Sequence, residues 1–441
     1  MSGIKKQAIW LLGSNTISAI LQILQISLLA HHLKLSELGV LAIVNMVLMV
    51  AMILQDMGMS SYIVHMQEMT RRDQSTIYWI NLLLSFLTGC LVFVASWPIA
   101  SFYNMPDLTF LVMLASFNFL FLGSLSQYQS HYIKAKKVIL LAKIEIISKI
   151  ISFLFVLFSI LKMDLRTEAV IYGLIINSFA RLFLMSLLGD KSWRPTFEFN
   201  SAICKPVFKY GIFQLGSQIL NQFRTQLDVI VIGKMLGADS LGIYSLAKDL
   251  IMQPLKLISP VINRLALPRF AEVQNQSDKL GGAYLRGTSV ILLFSMITFF
   301  SIYLLGPVII KILYGSSRMG VFNILPYMLL FGVLRPMGGL TGAVAQANGK
   351  TNIEFRWNVI ATSIVLGVTT TVFFIPQLWY VSLSLSLSQL LISFFVFPCF
   401  IKPIVDVSFK SYLYKWFPQA LCFICLIYIV KFFDLVLYPF W

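Results

Sequence analysis

Long apolar runs fill almost the whole chain and are separated by short polar connectors. Each run holds about 20 residues or more, the length a helix needs to cross a hydrocarbon core about 30 Å thick. The runs are continuous rather than alternating, so they predict helices and not the strands of a membrane barrel. The sequence therefore predicts an all-α polytopic membrane protein of about thirteen helices. The predicted spans are 7–31, 37–64, 75–101, 108–132, 139–162, 168–189, 206–234, 240–267, 285–313, 320–347, 354–376, 379–401 and 413–440.

Composition supports a membrane environment. The mean hydropathy is +0.83, 58% of residues are hydrophobic and 12% are charged, whereas soluble domains are about 25% charged. The formal net charge of +16 would suggest nucleic acid in a soluble protein. Basic residues also collect in the cytoplasmic loops of membrane proteins, and no nucleic-acid-binding module is present, so no nucleic-acid partner is expected.

The distribution of lysine and arginine predicts the orientation. Loops on the side of the N-terminus hold 21 basic residues, and loops on the opposite side hold 7. The positive-inside rule then predicts that the N-terminus lies on the cytoplasmic side of the membrane. No phosphate-binding loop of the G-x-x-x-x-G-K-[ST] type occurs. We therefore expect no cofactor, and a driving force from an H+ or Na+ gradient or from the substrate's own downhill flow.

Two short motifs recur at one offset. Leu12-Gly13-Ser14-Asn15 matches Leu215-Gly216-Ser217-Gln218 (215 − 12 = 203), and Leu38-Gly39-Val40 matches Leu241-Gly242-Ile243 (241 − 38 = 203). The shared offset predicts two six-helix lobes in parallel repeat around a central cleft, an arrangement found in two-lobed transporters. The predicted divisions are an N-terminal lobe at 1–190, a cytoplasmic linker at 191–205, a C-terminal lobe at 206–402 and an extra C-terminal helix at 403–441.

Charged residues inside the predicted spans are the first candidates for a binding site, because an ionisable group in a membrane is expensive and its default interpretation is functional. Basic residues outnumber acidic ones among them, which suits an anionic ligand such as a pyrophosphate, and arginine matches phosphate oxygens well. The principal candidates are Arg224, Asp228, Lys248, Asp249, Lys256 and Arg335. Further candidates are Asp56, Lys149 and Arg181.

The spacing of these charges leaves alternatives. Glu145 and Lys149, like Arg224 and Asp228, stand four residues apart, so each pair shares a helix face and its members could simply neutralise one another. For Asp56, near the end of span two, an interfacial position and a position in a cavity are equally compatible with the sequence.

Prolines accompany two of the cations. Lys256 lies between Pro254 and Pro260, which are expected to bend the helix. Arg335 precedes Pro336, where a helix break is expected.

Uncharged polar residues add to the predicted cleft. Asn15 and Gln22 in span one and Gln218 in span seven could bind sugar hydroxyls, although hydrogen bonding between helices explains them equally well. The sequence shows no catalytic residues. His31 and His32 stand together but without a carboxylate cluster, so no metal site is expected.

The chain resembles the Wzx-type oligosaccharide flippases, the polysaccharide transport proteins of the MOP (MATE-like) superfamily. Motifs in order along nearly the whole chain carry the resemblance, and they are residues 35–42, 54–61, 227–238, 241–247, 335–336 and 346–350. It implies two lobes in a V and an undecaprenyl-pyrophosphate-linked oligosaccharide as substrate, for O-antigen lipopolysaccharide or exopolysaccharide synthesis. It also implies contact with membrane lipid and with a polysaccharide polymerase or export machinery. The exopolysaccharide branch often has two extra C-terminal helices, whereas this sequence predicts about one.

Three alternatives remain at this point. A MATE-type cation or drug antiporter would share the fold, but its family commonly carries an acidic residue in the first span, and span 7–31 has none. A lipid II flippase of the same superfamily would differ in the glycan, which a sequence does not expose. A membrane-bound polymerase or ligase would usually carry a sizeable charged loop outside the membrane, and every predicted connector is short.

Overall fold

A computed structural model describes residues 2–66, 69–188, 194–274, 276–348, 351–433 and 435–436. Residues 191–193 of the predicted linker and 437–440 of the last predicted span lie outside the described residues. The α-helices within the described part are α1 Ser2–His32, α2 Leu35–Asp56, α3 Met59–His65, α4 Arg71–Tyr103, α5 Asp107–Ser116, α6 Phe119–Lys134, α7 Val138–Lys162, α8 Thr167–Leu188, α9 Cys204–Met235, α10 Gly237–Val273, α11 Ser277–Leu304, α12 Gly306–Tyr314, α13 Gly320–Leu334, α14 Pro336–Ala347, α15 Thr351–Thr370, α16 Leu378–Val396 and α17 Phe409–Phe432.

Every predicted span overlaps one helix or two consecutive helices, which confirms the all-α fold class, although α17 ends at Phe432, inside predicted span 413–440. Of the described residues, nine segments are long and apolar enough to cross a membrane, or ten when the bent pair α5–α6 is one span. Helices α9 and α10 are not in this set, although they match predicted spans. Both are long but interrupted by charges and amides, and they carry most of the predicted site.

Some predicted spans are broken rather than continuous. Span 37–64 is split between α2 and α3 because Met57 and Gly58 both take left-handed backbone conformations, with φ of 45° and 73°. Span 108–132 bends by 41° between α5 and α6. Apolar run length predicts that a segment crosses the membrane, but it carries no information about a turn of one or two residues inside the segment.

The chain forms two compact units, residues 1–229 and 230–441. The boundary falls inside α9. The predicted lobe limits at 190 and 206 stay a prediction.

In the first unit, α7 packs on α1 and α8, and α4 packs on α2, α5 and α6. A cluster of buried side chains joins α3, α4 and the start of α9, namely Met59, Tyr62, Ile63, Ile77 and Val207. Close to it, Gly211 of α9 lies against the α2–α3 turn. A Cβ atom on Gly211 would stand 2.3 Å from the Met57 carbonyl oxygen, so this approach of α9 requires glycine.

The α8–α9 connection runs along the beginning of α4. We call residues 194–200 the connector strap. The Trp79 indole Nε1 donates to the Thr196 carbonyl at 2.9 Å. The Asn200 backbone N donates to the Thr76 Oγ1 atom at 2.8 Å. These bonds join the strap to the first unit.

In the second unit, α10 packs on α11, α13 and α14, while α13 packs on α16 and α17 packs on α11. Ser386 of α16 reaches the backbone of α13: its Oγ donates to the Tyr327 carbonyl at 2.6 Å and accepts from the Phe331 N–H at 3.1 Å. A side chain placed between a helical carbonyl and the N–H four residues later is a recognised cause of local bending. The contact lies one turn before Arg335.

Candidate functional site

The two predicted charges on α9 belong to the first unit. The Arg224 Nη2 atom donates to the Asn221 Oδ1 atom, one turn earlier, at 2.7 Å. Asp228 is buried, and its Oδ1 accepts from the Val229 backbone N–H at 2.9 Å. Between them, the Gln226 amide contacts the Met49 sulfur of α2 at 3.2 Å. Gln226 lies two residues from each charge, so its contact with α2 is on a different face of α9 from Arg224 and Asp228.

A second charged group in the first unit joins three helices. The Arg181 Nη2 atom of α8 donates to the Glu145 Oε1 atom of α7 at 2.7 Å and to the Gln129 Oε1 atom of α6 at 3.2 Å. The Arg181 Nε atom is buried and has no hydrogen-bond partner in the described part. Sequence spacing offered Lys149 as a partner for Glu145. The partner on α8 was missed because residues 36 positions apart carry no spacing signal.

Asp56 ends α2 and accepts a hydrogen bond from the Ser60 hydroxyl of α3. Its neighbour Gln55 is buried and donates to the Asn81 Oδ1 atom at 2.6 Å. The Asn81 Nδ2 atom then donates to the Ser126 hydroxyl at 2.9 Å. This buried polar chain across α2, α4 and α6 was also missed by sequence reasoning, which considered Asp56 alone.

The remaining predicted residues of the first unit differ in exposure. Asn15 and Lys149 are exposed, while Gln22 and Gln218 are half-buried. Asn15 and Gln22 lie on α1, Lys149 on α7 and Gln218 on α9. The structure brings Arg181, Glu145 and Gln129 together by direct hydrogen bonds, and the role of the other residues in binding stays a prediction.

Helix α10 carries three of the predicted charges in the second unit. Lys248 and Lys256 both attract Asp249 electrostatically, and the Lys248 ammonium stands 5.8 Å from the centre of the Tyr244 ring. Asp249 and Lys256 share a face with Gln253, since they stand four and three residues from it. Gln253 is buried, yet neither polar atom of its side chain has a hydrogen-bond partner in the described part. This face therefore combines both signs of charge with a buried amide that has no partner in the described part.

Two observations bear on the predicted effect of prolines. Helix α10 continues from Gly237 to Val273 through Pro254 and Pro260. In contrast, α13 ends before Arg335 and α14 starts at Pro336, which confirms the predicted break. The Arg335 guanidinium lies 5.8 Å from the Phe331 ring. Because α10 packs against both α13 and α14, the α10 charges and Arg335 stand on mutually packed elements.

Of the predicted residues, Arg224 and Asp228 lie in the first unit, and Lys248, Asp249, Lys256 and Arg335 lie in the second. Within the described residues, no group of three or more His, Cys, Asp and Glu side chains could hold a metal ion. These residues offer guanidinium, ammonium, carboxylate and amide groups on α9, α10 and the break between α13 and α14. Such groups suit the binding of a polar, anionic molecule rather than covalent chemistry.

Fold and site together define a polytopic α-helical membrane protein with ionisable groups inside its bundle, the pattern of a transport protein. The sequence profile described as "Polysaccharide biosynthesis protein" matches residues 28–322. The amylovoran biosynthesis protein AmsL of Erwinia amylovora is 54% identical over 383 residues, which cover 87% of this chain and 99% of AmsL. The chain belongs to the family of polysaccharide biosynthesis proteins.

Solved structures agree on the fold. The lipid II flippase MurJ, in an inward closed conformation, matches 99% of this chain and 94% of its own, with a TM-score of 0.78 at 14% identity. An inward-facing multidrug resistance MATE transporter of the MOP superfamily matches 93% of this chain and 95% of its own, with a TM-score of 0.68 at 14% identity. These likenesses confirm the predicted MATE-like fold.

Proposed function

We propose that this transport protein moves an undecaprenyl-pyrophosphate-linked oligosaccharide repeat unit across the bacterial inner membrane during surface polysaccharide synthesis. The family and the MOP fold support a transporter rather than an enzyme. The observation that carries the substrate class is Arg335, a guanidinium inside a membrane span at the break between α13 and α14. A guanidinium binds phosphate oxygens through paired donors, and a helix break leaves room for an anion.

The other predicted residues have separate roles in this proposal. Lys248 and Arg335 bind the pyrophosphate, Arg224 supplies a further cation for phosphate oxygens, and Asp228, Asp249 and Lys256 complement the charges of the glycan. Gln253 joins this set as a partner for sugar hydroxyls, because its buried amide is otherwise unpaired. Asn15, Gln22 and Gln218 supply further hydroxyl partners. Asp56, Lys149 and Arg181 take part in the path within the first unit.

The same proposal includes a driving force for transport, an orientation in the membrane and a partner that receives the product. An H+ or Na+ gradient drives the cycle, since a chain without a nucleotide-binding loop needs another source for uphill transport. The N-terminus lies in the cytoplasm, as the loop charges indicate. A polysaccharide polymerase or export machinery receives the translocated unit.

The test is reconstitution into liposomes that contain a fluorescent undecaprenyl-pyrophosphate oligosaccharide, with the glycan in the outer leaflet measured by a membrane-impermeant reagent. Protein-dependent translocation of this lipid supports the proposal. Imposed H+ and Na+ gradients, each abolished by its own ionophore, identify the driving ion.

Two results would overturn the assignment. Translocation of lipid II but not of oligosaccharide repeat units would make the protein a peptidoglycan-precursor flippase. Gradient-driven efflux of organic cations, without lipid movement in protein shown to be folded, would make it an antiporter of the MATE type.

A further inference from the structure

The connector strap is held to α4 by many hydrogen bonds. Besides the two already described, the Arg72 Nε and Nη2 atoms donate to the Phe199 carbonyl at 3.0 and 2.7 Å. The Asn200 Nδ2 atom donates to the Asp73 Oδ1 atom at 2.6 Å. The Thr196 N–H donates to the Ser75 hydroxyl at 3.0 Å. The strap therefore has a defined position on the first three turns of α4.

This well-anchored segment presents two phenylalanines to its surroundings. Phe197 is 92% exposed and Phe199 is 50% exposed. The ring of Phe197 stacks on Trp79 with the ring centres 5.0 Å apart, which orients it. Large apolar side chains held outward by a hydrogen-bonded backbone indicate an apolar environment that lies outside the protein.

The exposed apolar residues of α4 indicate where the strap lies relative to the hydrocarbon core of the membrane. Exposed apolar side chains of α4 begin at Leu83 and end at Phe102, and at 1.5 Å per residue they span about 29 Å, the thickness of a hydrocarbon core. Trp79 lies about 6 Å before Leu83 on the same scale. Trp79 and the stacked Phe197 therefore stand at the level of the lipid headgroups, where aromatic residues are enriched.

Basic residues are concentrated at this end of the first unit. The Lys134 ammonium donates to the Met66 carbonyl at 2.7 Å, so the end of α6 meets the end of α3, between which and α4 only a short connection lies. The described residues of this end include six basic side chains, Arg71, Arg72, Lys134, Lys136, Lys137 and Arg194, and two acidic ones, Asp73 and Glu198. Asp73 already accepts from Thr70 and Asn200. The local charge favours an anionic surface.

We propose that the connector strap is a membrane-surface anchor for anionic phospholipids. Phe197 and Phe199 insert among the headgroups of the leaflet at which α4 begins, and the surrounding basic side chains bind lipid phosphates. Basic residues close to an anionic membrane surface are attracted to it. This anchor is independent of the transported substrate and fixes the connection between α8 and α9 to the bilayer surface.

The test uses the full chain with its five cysteines replaced by serine and one spin label at position 198. Glu198→Cys places the label between the two phenylalanines and leaves both in position. Asp107→Cys is the matched aqueous reference, because Asp107 is an exposed residue at the start of α5, just after the far end of α4. Collision rates with oxygen and with a water-soluble nickel chelate are measured in nanodiscs of phosphatidylcholine, with and without phosphatidylglycerol.

With phosphatidylglycerol, the label at 198 should collide several-fold less with the nickel chelate than the label at 107, and more with oxygen. Phe197→Ser with Phe199→Ser should return it to the values of the reference. Arg194→Gln should remove much of the dependence on phosphatidylglycerol, whereas Arg269→Gln, which removes an exposed arginine of the other unit, should leave that dependence unchanged.

Three results would overturn the anchor. A label at 198 as aqueous as the reference in both lipids would show that the strap stays in water. A label shielded from both reagents would indicate a protein partner or a second copy on this face. Insertion of the label that is the same with and without phosphatidylglycerol, and unchanged by Arg194→Gln, would show an apolar contact with lipid but no phosphate binding.

If the cysteine-free protein does not fold, hydrogen exchange measured on the native chain tests the same proposal. Hydrogen exchange of residues 194–200 should slow in nanodiscs that contain phosphatidylglycerol, and Phe197→Ser with Phe199→Ser should abolish this slowing. Phe374→Ser, which removes another highly exposed phenylalanine, should leave it intact. Exchange that is identical in both lipids would contradict the proposal.

Discussion

Arg181 on α8 donates a hydrogen bond of 2.7 Å to Glu145 on α7. Their side chains are 19% and 37% exposed, so water screens the pair only in part. Both helices are candidate membrane spans, where a lone charge is costly. The pair is therefore a structural link between α7 and α8 as well as a polar group along the proposed path.

The first prediction concerns this pair. Arg181→Gln and Glu145→Gln should each destabilise the protein, because each leaves the other charge uncompensated, and the double substitution should cost less than the sum. The coupling free energy should be about 1 kcal/mol or more, measured by thermal unfolding in detergent. The Arg269–Glu272 pair, with both side chains 64% exposed, is the control and should show coupling near zero to a few tenths of a kcal/mol. Equal coupling in the two pairs would contradict the assigned link.

The second prediction separates geometry from charge at Arg335. Arg335→Ala should reduce translocation of the lipid-linked oligosaccharide about tenfold or more, since a hydrogen bond to a charged group contributes about 1.5–3 kcal/mol. Arg335→Lys should recover only part of the rate, because an ammonium lacks the planar fork of a guanidinium. The measurement is the liposome assay at equal amounts of folded protein. Full activity of Arg335→Ala would remove this residue from the site.

The third prediction concerns Gln253. Gln253→Leu should leave thermal stability unchanged or raise it, because the buried amide has no partner in the described part of the chain. Translocation should nevertheless fall if the amide binds sugar hydroxyls, as proposed. Gln226→Leu, which loses only the contact with Met49, is the comparison on α9. Stability and transport that both stay at the wild-type level would assign Gln253 no part in binding.

The fourth prediction tests the approach of α9 to the α2–α3 turn. Gly211→Ala would place a Cβ atom 2.3 Å from the Met57 carbonyl, so the two segments must separate, at a cost of about 1–3 kcal/mol. Gly216→Ala on the same helix meets nothing within 4 Å and should be neutral or stabilising by up to about 1 kcal/mol. Thermal unfolding of both variants gives the comparison. Equal stability would mean that this contact does not limit the position of α9.

The fifth prediction concerns the hydroxyl of Ser386. Ser386→Ala removes a donor to Tyr327 and an acceptor for Phe331 and should destabilise the protein by about 1–3 kcal/mol, the penalty for an unsatisfied buried polar group. Ser384→Ala is the control, since the Ser384 hydroxyl donates to Val381 in its own helix. Ser384→Ala should therefore cost clearly less in the same unfolding measurement. The reverse order would show that the bridge to α13 is dispensable.

The sequence alone determined the location of the helices and one of their breaks. Apolar run length predicts spans because every backbone polar group in lipid must be satisfied within its own helix, and this is a local condition. Pro336 predicts the break at Arg335 for an equally local reason, since proline lacks a backbone N–H. The match of predicted spans to helices extends to α17, the extra C-terminal helix.

The tertiary structure decided which polar groups meet. Glu145 pairs with Arg181 across 36 positions, Gln55 with Asn81 across 26, and Asn200 with Asp73 across 127. Spacing rules apply only to residues within one or two turns of a helix. They therefore predicted an ion pair between Glu145 and Lys149 and predicted no contacts for the connector strap. Whether a charge in the membrane is neutralised or available to a ligand depends on the helices packed beside it, and that packing is a property of the folded chain.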